Sequence, residues 1–135
     1  MKLRLLTSTP EIETVIATSM LTTTSGALPS KLYERLRSNP EKVKEIVARV
    51  EAQHGSILEH NRFVWELEAS PEEVNEIFLD TGFLTFTKLS DKLWLLSGNL
   101  RTIVEYTQLK NNELTQELVN SISEAVPILH HFMGV

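Results

Sequence analysis

Between residues 63 and 68 the chain reads Phe-Val-Trp-Glu-Leu-Glu, with Phe63, Trp65 and Leu67 alternating with Val64, Glu66 and Glu68. Successive side chains of a strand point to opposite faces, so this period of two predicts a half-buried strand. Upstream, Val43, Ile46, Val47 and Val50 recur at the spacing of an amphipathic helix. A chain that changes period over so few residues must pack helices against a sheet. The change falls on His54-Gly55-Ser56-Ile57-Leu58-Glu59-His60. There Gly55 is expected to supply the left-handed position that ends a helix, with His54 in its last turn, favourably placed in the helix dipole.

Similar signals divide the rest of the chain. Lys2 to Ser8 predicts a strand, and Thr9-Pro10 a cap with proline at the first helical position. That helix is expected to run to about Leu21 on Ile12, Val15, Ile16, Ser19 and Met20, and the following Thr-Thr-Thr-Ser-Gly-Ala-Leu-Pro-Ser reads as a loop. A short helix over Lys31 to Arg37 precedes a second cap-plus-proline signal at Ser38-Asn39-Pro40. Ser70-Pro71-Glu72-Glu73 is a capping box, opening a helix whose apolar face is Val74, Ile77 and Phe78 and which Thr81-Gly82 stops. Two β-prone segments flank Ser90-Asp91 and predict an antiparallel hairpin. From Asn99 the pattern is helical up to Pro127, with Lys110-Asn111-Asn112 either a bend or a solvent side. The predicted class is α+β, a small, mainly antiparallel sheet packed against helices in a single domain spanning residues 1–135.

With 135 residues, 41% of them hydrophobic, the chain can bury one core, and no apolar run is long enough to span a bilayer. The start turns polar after Leu6, too early for the apolar core of a signal peptide, so a cytoplasmic location is expected. A net charge of −5, with 13 dispersed basic residues, argues against a nucleic-acid surface. Without cysteine, any metal would need His and carboxylate ligands.

Two stretches could carry chemistry. His54, Glu59 and His60 include two histidines six apart, which misses the H-E-x-x-H spacing that sets both on one helical face. They compose only the weakest of the candidate sites, that of a metal-dependent hydrolase. An alternative treats Gly55-Ser56 as a close backbone approach, with a hydroxyl and the Glu59 carboxylate facing one pocket; the structural reading pairs Glu59 with Arg62 or water. In the second stretch, Ser97-Gly98-Asn99-Leu100-Arg101, an arginine occupies the first turn of a helix, where the dipole prefers a carboxylate. Either an anion binds there, or Arg101 pairs with Glu105 one turn on. Trp65 and Trp94 read as core, and His130-His131 as a polar tail.

Taken in order, the opening strand, the Thr-Pro helix start, the segment H-G-S-I-L-E-H-N-R-F-V-W-E-L-E and then G-N-L-R resemble the flavin-dependent thymidylate synthase (ThyX, thymidylate synthase complementing protein) family. That family carries a segment like G-H-x-S/T-x-x-E-H-x-x-F-x-F-x-I-E. The positions here similar to it are His54, Ser56, Glu59 and His60, then Phe63, Trp65 and Glu68. A later family segment resembles Asn99-Leu100-Arg101, with Glu105 at an Asn/His position, Lys110 at a final arginine and Thr115-Gln116 near Ala-Gln. The family's R-H-R-x-x-S-x-N-x-x-S-x-R signature has no counterpart, and no arginine stands between Arg62 and Arg101. Lysine at 110 keeps the charge but loses the planar fork of arginine.

What the resemblance implies is a cofactor site for FAD at His54, Ser56, Glu59, Asn99 and Arg101, a nucleotide contact at Lys110, and a homo-oligomer, by analogy a tetramer. The family reaction methylates dUMP to dTMP with FAD, methylenetetrahydrofolate and NADPH. Because the arginine motif that orients the nucleotide is missing, the expectation here is flavin or nucleotide binding without the full reaction. The alternative is a non-catalytic homo-oligomeric assembly or regulatory protein whose same residues only fix turns and caps.

Overall fold

The computed structural model describes residues 1–50 and 55–127. Within them the chain runs β1 (Lys2–Ser8), α1 (Ile12–Ser25), α2 (Pro29–Arg37), α3 (Pro40–Val47), α4 (Gly55–Leu58), β2 (Arg62–Glu68), α5 (Pro71–Asp80), β3 (Thr85–Lys88), β4 (Leu93–Asn99), α6 (Leu100–Leu109) and α7 (Glu113–Ile122). The strands form one antiparallel sheet in the order β1-β2-β4-β3. The expected α+β class is therefore what the chain adopts. No helix among the described residues is long and apolar enough to cross a membrane.

Register puts Leu3 opposite Leu67, Leu5 opposite Trp65, and Leu96 and Gly98 opposite Trp65 and Phe63. These residues share the face that meets the helices, where Phe63, Trp65, Leu67 and Leu96 are fully buried. The opposite face pairs Arg4 with Glu66 and Lys2 with Glu68, side chains that remain in water. The alternation read from residues 63–68 is thus the division between core and solvent. A register irregularity between Leu5 and Thr7 bends β1. α7 crosses the buried face: the indole Nε1 of Trp65 donates to Ser121 Oγ just before the helix ends (2.9 Å).

Several boundaries differ from expectation, each for a local reason. The first helix begins at Ile12 rather than at Pro10 because Thr9 is used by the sheet. Its N–H donates to the Arg62 carbonyl (2.9 Å), and its Oγ1 accepts from the Arg62 N–H (2.9 Å). Glu11 then makes the turn in a left-handed conformation (φ 52°), unusual for a residue with a side chain, and caps α1 without a side-chain bond. The same helix continues past Leu21 to Ser25, through the hydroxyl run expected to be a loop. Thr22 and Thr23 donate to the carbonyls of Thr18 and Met20 (2.7 Å each), so their polarity is absorbed within the helix, which Gly26 ends at φ 71°.

α3 starts on proline as expected, with Asn39 accepting from the Lys42 N–H, whereas α2 begins at Pro29, two residues before the expected Lys31, because that proline fits the first helical position after Leu28. α3 ends at Val47 and Gly55 instead opens the single turn α4; it does not take the left-handed conformation assigned to it. The capping box at Ser70 and Glu73 is formed. Phe78, expected on the apolar face, is 53% exposed and lies against Phe86 of β3, ring centroids 5.0 Å apart, leaving Val74 and Ile77 to face the core. The long C-terminal element is two helices. Asn112 caps α7 by accepting from the Thr115 N–H (3.0 Å), and its Nδ2 donates to the Tyr106 hydroxyl (2.9 Å), so the polar break is a built corner.

Candidate functional site

α4 and the start of α6 are distant in sequence and adjacent in space. The Leu100 N–H donates to the Asn61 carbonyl (2.8 Å), fixing the first residue of α6 against the loop after α4. Arg101, one residue on, extends its guanidinium over Gly55. A Cβ on Gly55 would stand 2.6 Å from its Nε and 2.9 Å from its Cζ. The missing side chain of the glycine leaves the space that the guanidinium occupies.

The guanidinium is held between two carboxylates. Nη1 donates to Glu59 Oε1 (2.9 Å) and Nε to Glu105 Oε1 (3.0 Å). These bonds, that to Glu105 first, push Arg101 further up from its already high ordinary value. Glu59 therefore pairs with Arg101 and not with Arg62, whose Nη2 reaches Ser97 Oγ at 3.4 Å. Of the two readings of Arg101, the helix pair with Glu105 is formed, and a second carboxylate comes from the residue after α4. One cation and two carboxylates leave a formal surplus of one negative charge.

Glu59 also stands at the edge of an open cleft of about 570 Å³ between α1, the start of α2 and the α4 corner. Val15 and Ile57 supply apolar wall, Tyr33 a ring, and Ser56, Glu59 and His60 the polar edge. From α1 come Thr18 and Thr22, whose hydroxyls each donate to the carbonyl one turn back and so present acceptor lone pairs. Arg101 does not itself line the cleft and reaches it through Glu59. The arrangement sets hydroxyl and carboxylate acceptors beside an apolar wall, which suits a largely neutral ligand that can donate hydrogen bonds.

Asn99 is the N-cap of α6, its Oδ1 accepting from the Thr102 N–H at 2.8 Å. Lys110 lies at the other end of that helix, nine residues from Arg101 and so ~14 Å away along the axis. Its Nζ pairs with Asp80 (3.3 Å) beside a smaller cavity of about 210 Å³ that Phe83, Tyr106 and Leu109 line. The chain thus gathers Ser56, Glu59 and Arg101, gives Asn99 to the helix end and sends Lys110 elsewhere. His54 lies outside the described residues, as do His130 and His131. Among the described residues no three His, Cys, Asp or Glu side chains converge to hold a metal ion.

Tyr33 escaped the sequence reading, hidden in a short helix where its hydroxyl donates to Glu11. So did Thr18, which stands four residues before Thr22 on one face of α1, a spacing that could have extended the hydroxyl run back along the cleft. No family model matches the chain, and no curated protein matches it.

Proposed function

We propose that this chain is a shortened, divergent relative of the flavin-dependent thymidylate synthases that binds FAD or a nucleotide beside α4 without carrying the family reaction. The supporting observation is the Arg101–Glu59 pair over Gly55. It joins the two separate segments on which the resemblance rests, and it does so at the edge of a cleft of small-molecule size. In this reading Ser56 and Glu59 contact the ring portion of the ligand, and Arg101 positions Glu59. Phosphates gain little from a guanidinium already shared by two carboxylates, so the cleft selects for the ring. The role of Lys110 as a nucleotide contact requires a second ligand segment, or a second subunit, at the far end of α6.

The test is a thermal-shift and fluorescence titration of the purified protein with FAD, FMN and dUMP. Saturable stabilisation by a flavin, reduced in Arg101→Ala and in Glu59→Gln, supports the reading. No response to any of the three at millimolar concentration overturns it.

A second reading, a homo-oligomeric assembly protein without a ligand, draws on a different surface. Leu79, Phe83 and Leu109 are 80%, 74% and 81% exposed, and Phe83 and Leu109 border the same small cavity. Large apolar side chains grouped in this way mark an interaction face. Sedimentation of the wild type against Leu79→Lys with Leu109→Lys tests it: an oligomer that dissociates in the variant favours assembly, and a monomer in both excludes this face.

A further inference from the structure

The most unusual polar group in the molecule is the side chain of Asn61. It is fully buried, and among the described residues neither its Nδ2 nor its Oδ1 has a hydrogen-bond partner. Its backbone is fully engaged: the N–H donates to the Leu58 carbonyl (3.4 Å) and the carbonyl accepts from Leu100 (2.8 Å). The residue is therefore clamped between the end of α4 and the start of α6, and the next buried residue, Phe63, fixes the chain beyond it. Such a residue cannot swing its amide into solvent without breaking the junction that also seats Arg101.

We propose that the Asn61 carboxamide holds one internal water molecule at the corner where α4, β2 and α6 meet. A primary amide offers two donors and an acceptor oxygen with two lone pairs. Leaving all of these unmet in a core is unfavourable, and folded proteins meet such groups with enclosed water. Water can accept from Nδ2 and donate to Oδ1 of the same or an adjacent group. Asn61 lines neither the cleft at α4 nor the cavity at Lys110, so neither of those openings supplies its partner. The water is then a fixed part of the support on which the Glu59–Arg101 pair rests, whatever that pair binds.

Nuclear Overhauser contacts between water and the Asn61 side-chain NH₂ in the wild-type protein test this directly. Contacts with the sign of a long-lived water are expected; their absence overturns the proposal. Oxygen-17 relaxation dispersion gives the second measurement. Asn61→Leu loses the contribution of one long-lived water and Asn61→Ser retains it, whereas an unchanged amplitude in folded Asn61→Leu overturns the assignment. If Asn61→Leu does not fold, the wild-type contacts decide.

Discussion

The guanidinium of Arg101 occupies the space in which a side chain on Gly55 would begin, 2.6 Å from Nε to the Cβ position. Gly55 is buried and helical without a positive φ, so alanine is compatible with its backbone. The obstacle is the far end of a flexible, 40% exposed side chain. Gly55→Ala is therefore expected to change stability by no more than about 1 kcal/mol, since helix propensity offsets the displacement. The displaced arginine releases Glu59, so flavin affinity, if present, falls while folding persists. Urea unfolding and a ligand titration on the same sample check both halves.

Gly98→Ala has the opposite outcome. A Cβ there would lie 2.5 Å from Leu84 Cδ2, and Leu84 is buried, 5% exposed, with no solvent to move into. Overpacking of this kind costs about 1–3 kcal/mol. Denaturant midpoints for the two glycine variants, measured together, are expected to separate clearly.

Ser121 satisfies two groups at once. Its Oγ accepts from the buried Trp65 indole (2.9 Å) and donates to the Leu118 carbonyl (3.0 Å). Ser121→Ala leaves the indole N–H without an acceptor, at a cost of about 1–3 kcal/mol. Chemical unfolding followed by tryptophan emission measures it.

Acid reveals the capping box of α5. The Ser70 N–H donates to Glu73 Oε1 (2.9 Å), and this bond, partly opposed by burial, holds the carboxyl below its ordinary value of 4.5. A depressed carboxyl contributes stability that is complete above 4.5 and is lost as pH falls through the lower folded value. Wild type is therefore expected to lose more stability on acidification than Glu73→Gln. Unfolding curves from neutral pH to about pH 3 test the difference. At neutral pH, Ser70→Ala costs about 1 kcal/mol through loss of the cap.

Local signals located the elements whose boundaries are decided locally. The strand at Phe63 to Glu68, the Ser70 box and the start of α3 at Pro40 need only neighbouring residues. Thr9 and Gly55 misled because their roles are set by partners far along the chain, Arg62 at 53 positions and Arg101 at 46. For the site, residue types were informative and distances were not. Glu59 and Arg101 were both candidates, but their contact depends on the whole path through β2, α5 and the hairpin. Asn61 gave no signal, since an asparagine between a turn and a strand ordinarily faces water.

Among the described residues the sheet ends in two margins, β1 and β3. An unpaired strand margin is a template on which another chain can add its backbone, and repeated addition is the route to fibrils. Both margins here are poor templates. β1 is interrupted between Leu5 and Thr7 and carries Lys2 and Arg4, while β3 has four residues and ends on Lys88. Growth by strand addition is thereby disfavoured, and the exposed Leu79, Phe83 and Leu109 near the ends of α5 and α6 offer self-association a side-chain route instead.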